Sequence, residues 1–250
     1  MTSEHLLAQW PVAILAGGLA TRLRPKTETV PKAMLEVAGV PFITHQLSLL
    51  HKAGFRDVLL CAGHLGEQIE SYLADGSQVG MNVQYSYDGP KLLGTGGALR
   101  KALPLLGPRF VVLYGDSYLP VDYKTIVEDF VRKNKPALMT VFKNDGHWDR
   151  SNVSFVAGQI RCYNKRKPTS EMHYIDYGLG VLTEEAFQTF ADISEFDLAD
   201  LYADLVNRAQ LAGCEVKNRF YEIGSPEGLT ELDHLLRHLT DRDQTDKDLL

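Results

Sequence analysis

Cysteine is scarce in this sequence: Cys61, Cys162 and Cys214 are the only three in 250 residues, far apart and without a CxxC pair. An odd, scattered set supports neither a disulfide framework nor a thiolate zinc site, and it fits a reducing, cytoplasmic setting. Long apolar runs are missing too. The stretch MTSEHLLAQWPVAILAGG carries Glu4 and His5 where a signal peptide would be basic, and its apolar run falls far short of the ~20 residues that span a bilayer. No export signal and no membrane partner are expected. Positive charge is in deficit, with 26 Lys and Arg against 32 Asp and Glu and a formal net charge of -6. A nucleic-acid partner held through its phosphate backbone is therefore not expected either. Neither a GxSxG nucleophile elbow, nor HExxH, nor a Walker A loop occurs, and the histidines show no metal-ligand spacing. Chemistry by positioning and charge is left.

The composition, 44% hydrophobic and 23% charged, is that of a globular chain with one sizeable core. Through the first 140 residues apolar strand-like runs alternate with segments of helical period. VAILA (12–16) precedes a helix over FITHQLSLLHKA that Gly54 can cap, and DVLLCAG (57–63) precedes a helix around GEQIESYLADG. NVQYSY (82–87) leads to a helix from about Gly96 to Leu105, RFVVLYGD (109–116) to a helix over TIVEDFVRKN, and ALMTVF (137–142) follows. Strands apolar on both faces in a βαβ series predict an α/β fold, Rossmann-like and doubly wound, with a mixed, mostly parallel sheet. After residue 150 come short strands in NVSFVAGQIRCYNKRKP and YIDYGLGVL, two helices over about 184–210, a hairpin-like CEVKNRFYEIG, and a helix from Pro226 to about Leu239. No Pro/Gly/Ser linker intervenes. This small β-rich part is read as an elaboration on the same sheet, giving one domain over 1–240 with halves of about 1–145 and 146–240, and a flexible charged tail over 241–250.

Ligands of open α/β sheets sit beyond the carboxyl ends of the strands, and four unusual segments map there: AGGLATRLRP, CAGHLGEQ, LLGTGGAL and YGDSY. In the first, Gly17 and Gly18 let backbone amides approach a ligand, and Arg22 and Lys32 supply charge suited to a triphosphate. Arg24 and Lys26 are read as solvated, and Pro25 and Pro31 as keeping the loop extended so that Lys32 can return to the phosphates. A dinucleotide fingerprint fits poorly, since no third glycine opens a helix there. In LLGTGGAL, Thr95 can cap the following helix while Gly94 admits a flat base or ribose. His64, just after the second strand, can lie near a base. Asp116 leaves a fully apolar strand over the phosphate loop, where a hard divalent cation needs oxygen ligands, and Glu222 in FYEIGSPEG could complete that site. A turn cap for Asp116 and a solvated acid at a helix N-terminus for Glu222 are the competing readings. Arg166 and Lys167 could clamp a second phosphate, and Asp176 with Tyr177 could bind polyol hydroxyls, whereas Lys165 is read as part of a solvated turn.

Taken together these residues resemble the sugar-1-phosphate nucleotidyltransferases, the NDP-sugar pyrophosphorylases. The family's opening signature, Leu-Ala-Gly-Gly-x-Gly-Thr-Arg-Leu-x-Pro-x-Thr followed after a spacer by Pro-Lys, stands here as LAGGLATRLRPKTETVPKAML, with Ala20 in place of a glycine. LGTGGAL is similar to the family's base- and ribose-contacting segment and YGDSY to the segment of its metal-binding aspartate. YEIGSPEGL is similar to Trp-x-Asp-Ile-Gly-Thr-Pro-Glu, with Glu222 replacing a second metal-binding aspartate. KRKP resembles a Glu-Lys-Pro segment that holds the sugar phosphate, with Arg166 for glutamate, and IDYGLGVL resembles Asn-x-Gly-x-Tyr, with Asp176 for asparagine. The match runs over about residues 12–235, and the chain is similar to the short, monofunctional members that make GDP-heptose or UDP-N-acetylmuramic acid.

The resemblance implies that an ionised sugar 1-phosphate oxygen attacks the α-phosphorus of a nucleoside triphosphate in line, without a general base, and that pyrophosphate leaves. It implies Arg22 and Lys32 as catalytic cations, and Leu15, Ala16, Gly17, Gly18, Gly63, His64, Asp88, Gly94 and Thr95 around the nucleotide. Lys167, Asp176, Tyr177 and Gly178 would hold the sugar phosphate, with Asp116 and Glu222 as ligands of Mg²⁺. GTP or UTP is favoured as the nucleotide with CTP left open, the expected product is a cell-envelope or capsule sugar precursor, and a homodimer is left open. Two other readings stand beside this one: an NDP-sugar-binding regulatory protein with weak turnover, motivated by Glu222, Arg166 and Asp176, and a choline-phosphate-type cytidylyltransferase on the same fold.

Overall fold

Strand β1 (Val12–Leu15) turns Val12 and Ile14 to one face and Ala13 to the other, and all three are fully buried. A strand covered on both sides must be central, and the computed structural model, which describes residues 6–248, puts it inside a nine-stranded sheet. Glu4 and His5 of the N-terminal reading, like Leu249 and Leu250, lie outside the described residues. A short hairpin of β2 (Glu36–Val37) and β3 (Val40–Pro41) leads into α1 (Phe42–Ala53), which ends on Gly54 at φ 108°, the left-handed cap expected of it. Next come β4 (Asp57–Ala62), α2 (Gly66–Leu73), β5 (Asn82–Tyr87), α3 (Gly94–Leu106), β6 (Arg109–Tyr114), β7 (Ser117–Tyr118), α4 (Tyr123–Lys133) and β8 (Ala137–Lys143). The remainder comprises β9 (Val153–Val156), β10 (Gln159–Tyr163), β11 (Tyr174–Thr183), α5 (Leu198–Asn207), β12 (Leu211–Val216), β13 (Tyr221–Glu222) and α6 (Pro226–Asp248).

The sheet runs in the order β10-β9-β11-β6-β1-β4-β5, with β8 on the other edge of β11 and β12 beyond it. Strands β6, β1, β4 and β5 are mutually parallel, and so are β8 and β12, while β11 is antiparallel to both β6 and β8. The fold is thus α/β, Rossmann-like, with a mixed and mostly parallel sheet. Alternation along the strands makes two cores. Val12, Ile14, Val58, Leu60, Val111 and Leu113 pack against α1, α2 and α4, and Ala13, Leu59, Cys61, Phe110 and Val112 against α3 and α5. A third, smaller cluster holds α6 through Leu232 and Leu236 against Val37, Phe42 and Ile223.

Four local expectations are corrected. CEVKNRFYEIG is not a hairpin: its apolar first part belongs to β12, parallel to β8, and Tyr221–Glu222 crosses away to pair antiparallel with Ser117–Tyr118. The first of the two helices after residue 183 is a 3₁₀ helix, Glu184–Phe190. Helix α6 runs past Leu239 to Asp248, through most of the segment read as a tail. The loop after β1 is folded rather than extended, into 3₁₀ turns at Thr21–Leu23, Lys26–Glu28 and Lys32–Met34, and Pro25 and Pro31 stand at the N-caps of the last two. Leu23, Thr27 and Ala33 anchor these turns by burial. Among the described residues no helix is long and apolar enough to cross a membrane.

Candidate active site

Register decides where the chemistry sits. Leu15 lies opposite both Cys61 and Tyr114, and Ala62 opposite Tyr87, so the four parallel strands end together and their following loops share one edge of the sheet. The first two loops nearly touch: a Cβ on Gly63 would stand 2.6 Å from Gly17 O, and His64 N donates to that oxygen at 3.4 Å. Glycine at 63 is therefore a packing requirement, and a Cβ on Gly17 would stand 3.1 Å from Gly63 N, tighter than an ordinary contact. Ala20, at φ 48° and ψ 43°, is left-handed, and its carbonyl accepts from Thr27 Oγ1 at 2.8 Å.

Two cavities open at this edge. The smaller, about 260 Å³, is lined by Leu15, Ala16, Gly17, Gly18, Lys32, Asp88, Gly94 and Thr95, all expected around a nucleotide or its phosphates. The larger, about 650 Å³, is lined by Arg22, Asp176, Tyr177, Gly178 and Glu222, together with Trp148, Asn152 and Arg219. Tyr114, Asp116 and Lys165 line both. Gly63 and His64 line neither, standing behind the glycine loop, and neither does Lys167. Lys165, read from sequence as a solvated turn residue, is instead the basic residue of KRKP that reaches the cavities, 5.7 Å above the Tyr114 ring. Asn164 Oδ1 gathers the backbone N–H groups of Arg166 and Lys167 at 3.1 and 2.8 Å, and Arg166 turns to Asp200 at 3.0 Å.

At the shared wall Lys32 Nζ donates to Asp116 Oδ2 at 2.7 Å, with the side chains 20% and 27% exposed. Burial alone would raise the Asp116 carboxyl, but the Lys32 ammonium and the Ser117 hydroxyl outweigh it and hold the group below the ordinary carboxylate range. The turn that carries Asp116 is clamped from α1, where buried Gln46 donates Nε2 to Tyr114 O at 2.9 Å and to Ser117 O at 2.8 Å. On its other side Ile223 N donates to Asp116 O at 2.9 Å, bringing Glu222 alongside. The Glu222 carboxylate accepts from Gly224 N and from Ser225 Oγ at 3.0 Å, and Ser225 Oγ accepts from Gly228 N at 3.0 Å, closing the first turn of α6. Among the described residues no group of three or more His, Cys, Asp or Glu could hold a metal. Two carboxylates on one cavity wall nevertheless fit Mg²⁺, which is bound through one or two carboxylates plus substrate phosphates rather than in an all-protein cage.

The larger cavity has a more tyrosine-rich chemistry. Asp176 Oδ2 accepts from Tyr114 OH at 2.7 Å and Tyr163 OH at 3.3 Å, and Oδ1 accepts from Gly178 N at 3.1 Å. Burial raises this carboxyl above its ordinary range, and these donors with Lys165 offset the rise only in part. Tyr177, grouped with Asp176 from sequence, turns its ring into the core at 2% exposure and leaves its hydroxyl near Arg219 O at 3.5 Å. Sequence reasoning missed Arg219, whose guanidinium lies 3.3 Å from the Trp148 ring centroid and binds Glu231 with both terminal nitrogens at 2.7 and 2.6 Å. A lone tryptophan in the polar loop NDGHWDRSN was the available signal. Thr95 is also corrected: α3 starts at Gly94, two residues before the expected Gly96, so Thr95 lies inside its first turn and ties α3 to the start of α5 by donating to Asp197 Oδ1 at 3.0 Å and accepting from Leu198 N at 2.8 Å.

Comparison with known proteins gives a consistent result. The nucleotidyl transferase family matches residues 12–153. The chain is 31% identical over 213 residues to a UTP–glucose-1-phosphate uridylyltransferase of Synechocystis sp., covering 78% of this chain and 54% of that protein. It is 27% identical over 215 residues to a D-glycero-alpha-D-manno-heptose 1-phosphate guanylyltransferase of Campylobacter jejuni, covering 86% and 94%. The matched segments span about half the length of that uridylyltransferase and of an N-acetylmuramate alpha-1-phosphate uridylyltransferase of Neisseria meningitidis, 54% and 48%. A solved UDP-glucose pyrophosphorylase from Acinetobacter baumanii superimposes with a TM-score of 0.79 at 20% identity, over 96% of this chain and 99% of that one, and shares the fold.

Proposed function

The chain belongs to the nucleotidyl transferase family, and we propose that it converts a nucleoside triphosphate and a sugar 1-phosphate into an NDP-sugar and pyrophosphate. One observation carries this reading: a slot lined by the glycine loop and a larger polar cavity meet at Tyr114, Asp116 and Lys165. In-line transfer requires such a place, where two phosphates share one set of charges. The glycine loop would neutralise the leaving pyrophosphate, Arg22 would meet it from the larger cavity that it lines, and Lys32 and Lys165 would bridge the α-phosphate and the attacking phosphate, charge that matters most as the transition state forms. Asp176, with Tyr114 and Gly178 fixing it, would orient sugar hydroxyls. Asp116 and Glu222 would hold Mg²⁺, which when bound neutralises charge on the transferring phosphoryl group. Relatives named for uridylyl and guanylyl transfer to glucose 1-phosphate and heptose 1-phosphate support this substrate class, and the cytoplasm, where such substrates are made, is the proposed location.

The test is a matrix of four NTPs against hexose and heptose 1-phosphates, with phosphocholine as a further acceptor, read by Mg²⁺-dependent pyrophosphate release. Release with at least one sugar 1-phosphate is expected; release with phosphocholine alone overturns the reading. A non-catalytic NDP-sugar binder is the second reading, favoured by the Glu222 carboxylate being engaged by Gly224 N and Ser225 Oγ. Tight NDP-sugar binding without release in any pair decides for it.

A further inference from the structure

The smaller cavity has two acids on its wall, Asp88 and Asp116, which follow β5 and β6. Strands β1 and β4 lie between those two, so at about 4.8 Å per strand the acids stand roughly 14 Å apart. Asp116, paired with Lys32, belongs to the phosphate end, which leaves Asp88 at the other. The lining residues that follow Asp88 in its loop and in α3 are small or apolar: Leu92, Gly94 and Ala98. The remaining polar groups at this end are committed. Thr95 bonds α5 in both directions, and burial pushes the Cys61 thiol up to about 12, with Asp88 adding to the rise, so it stays neutral.

Asp88 is held in place from behind. Its N–H donates to Ala62 O at 3.0 Å, and Lys101 Nζ donates to Tyr87 O at 2.6 Å and Asp88 O at 3.3 Å. The carboxylate accepts one bond, from Leu93 N to Oδ2 at 3.2 Å, and among the described residues Oδ1 has no hydrogen-bond partner. An ionised carboxylate offers about four lone-pair directions, so most of its accepting capacity is left for a ligand.

Resting on the nucleotidyltransferase reading above, the geometry points to Asp88 as the residue that selects the base, and to guanine as the base it selects. A carboxylate presents two acceptors side by side, and guanine alone among the bases presents two adjacent donors, N1–H and one N2–H, to meet them. Uracil and thymine place a single N3–H between two carbonyls, so one carboxylate oxygen would face an oxygen. Cytosine and adenine offer one amino donor beside a ring-nitrogen acceptor. Charge-assisted pairs of this kind are the strong ones, and a site built around such a pair leaves a desolvated carboxylate unpaired when the wrong base enters.

The experiment compares GTP, ITP, UTP, CTP and ATP in pyrophosphate release, and GDP, IDP and UDP in calorimetric binding, for the wild type and for Asp88→Asn. In the wild type GTP is expected to exceed UTP, CTP and ATP by about 100-fold or more in kcat/KM, and ITP, which lacks the N2 amino group, to lose about 10-fold or more. The Asn side chain offers one donor and one acceptor, matching uracil, so the variant is expected to lose the GTP-over-ITP ratio and to move its preference toward UTP. A wild type that prefers UTP, or that treats ITP and GTP alike, overturns the proposal without any appeal to a variant. A uniform loss across all nucleotides in Asp88→Asn overturns it too, since that is the behaviour of a ribose contact or a structural residue. If binding prefers GDP over IDP and UDP while no acceptor yields pyrophosphate, the base assignment stands and the transferase reading falls.

Discussion

Lys32 Nζ stands 2.7 Å from Asp116 Oδ2, joining the loop after β1 to the end of β6 across 84 residues of sequence. The pair leaves the phosphate end of the cleft with one cation and one anion already in contact, each placed to exchange the other for a ligand of the same sign: Lys32 for a phosphate, Asp116 for a hard cation. Both residues are consequently expected to be needed in the transition state rather than for folding.

Lys32→Ala and Asp116→Ala are expected to lower kcat by at least about 100-fold, the size of effect seen when one preorganised charge or donor is lost from a transition state. Circular dichroism and thermal melts check that the fold persists, since both side chains are partly solvent-exposed and sit at a cavity edge. Near wild-type turnover in either variant removes that residue from the mechanism.

Ala20→Gly tests the family departure. A non-glycine residue in the left-handed region costs about 1–2 kcal/mol, and Ala20 sits there at φ 48°. Glycine returns part of that gain through a more flexible unfolded chain, about 0.4–1 kcal/mol. The variant is expected to be more stable by about 0.5–1 kcal/mol in urea titration, with turnover retained because the Thr27 Oγ1 bond to the residue 20 carbonyl does not depend on the side chain. A loss of stability would mean that the left-handed turn carries no such cost.

Lys165→Ala and Lys167→Ala separate two nearby basic residues that the sequence ranks in the opposite order to the structure, with Lys167 as the phosphate ligand and Lys165 in a solvated turn. Lys165 lines both cavities and Lys167 lines neither. Losing a charge-assisted bond to phosphate costs about 1.5–3 kcal/mol, so Lys165→Ala is expected to lower kcat/KM for the sugar 1-phosphate by about 10- to 100-fold, while Lys167→Ala stays within about threefold of wild type. Equal effects of the two, measured under saturating nucleotide, would place the sugar phosphate elsewhere.

Much of this is legible in the amino-acid sequence. Strands β1, β4 and β6 announce themselves because both their faces are apolar, β5 because Val83, Tyr85 and Tyr87 alternate with polar residues, and Gly54 because a helix end needs a left-handed residue; such signals are local. Asp116 and Lys32 follow from the rule that loops at the carboxyl ends of parallel strands converge. What stayed hidden depends on distant partners. Thr95 reads as a cap until Asp197 and Leu198, about 100 residues later, take its hydroxyl. The choice among Lys165, Arg166 and Lys167 hangs on Asn164, whose Oδ1 holds the backbone N–H groups of Arg166 and Lys167, and on Asp200, which pairs with Arg166. The strand character of CEV (214–216) was visible, but its extension back to Leu211 and its pairing with β8 rather than with its own neighbour Tyr221–Glu222 are tertiary choices.

Asp176 supplies a pH test. The fold raises this carboxyl above its ordinary value of 3.8 because burial outweighs the donors around it, so the folded chain binds its proton more tightly than the unfolded chain does. Below pH 3.8 both forms are protonated and nothing is lost. As pH climbs from there through the raised folded-state value, the unfolded chain gives up the proton first, and the protein loses stability until both forms are ionised. Asp176→Asn has no proton to lose. Its Oδ1 can still accept from Gly178 N, and its Nδ2 can donate to the Tyr114 hydroxyl, which rotates to accept. The variant is therefore expected to gain stability over the wild type progressively as pH rises through this window and to hold a constant advantage above it, read from urea titrations of both proteins between about pH 3.5 and 8. A difference that does not change with pH would mean that the donors around Asp176 cancel the effect of its burial, and one that favours the wild type more strongly as pH rises would mean that the carboxylate is stabilised in the fold.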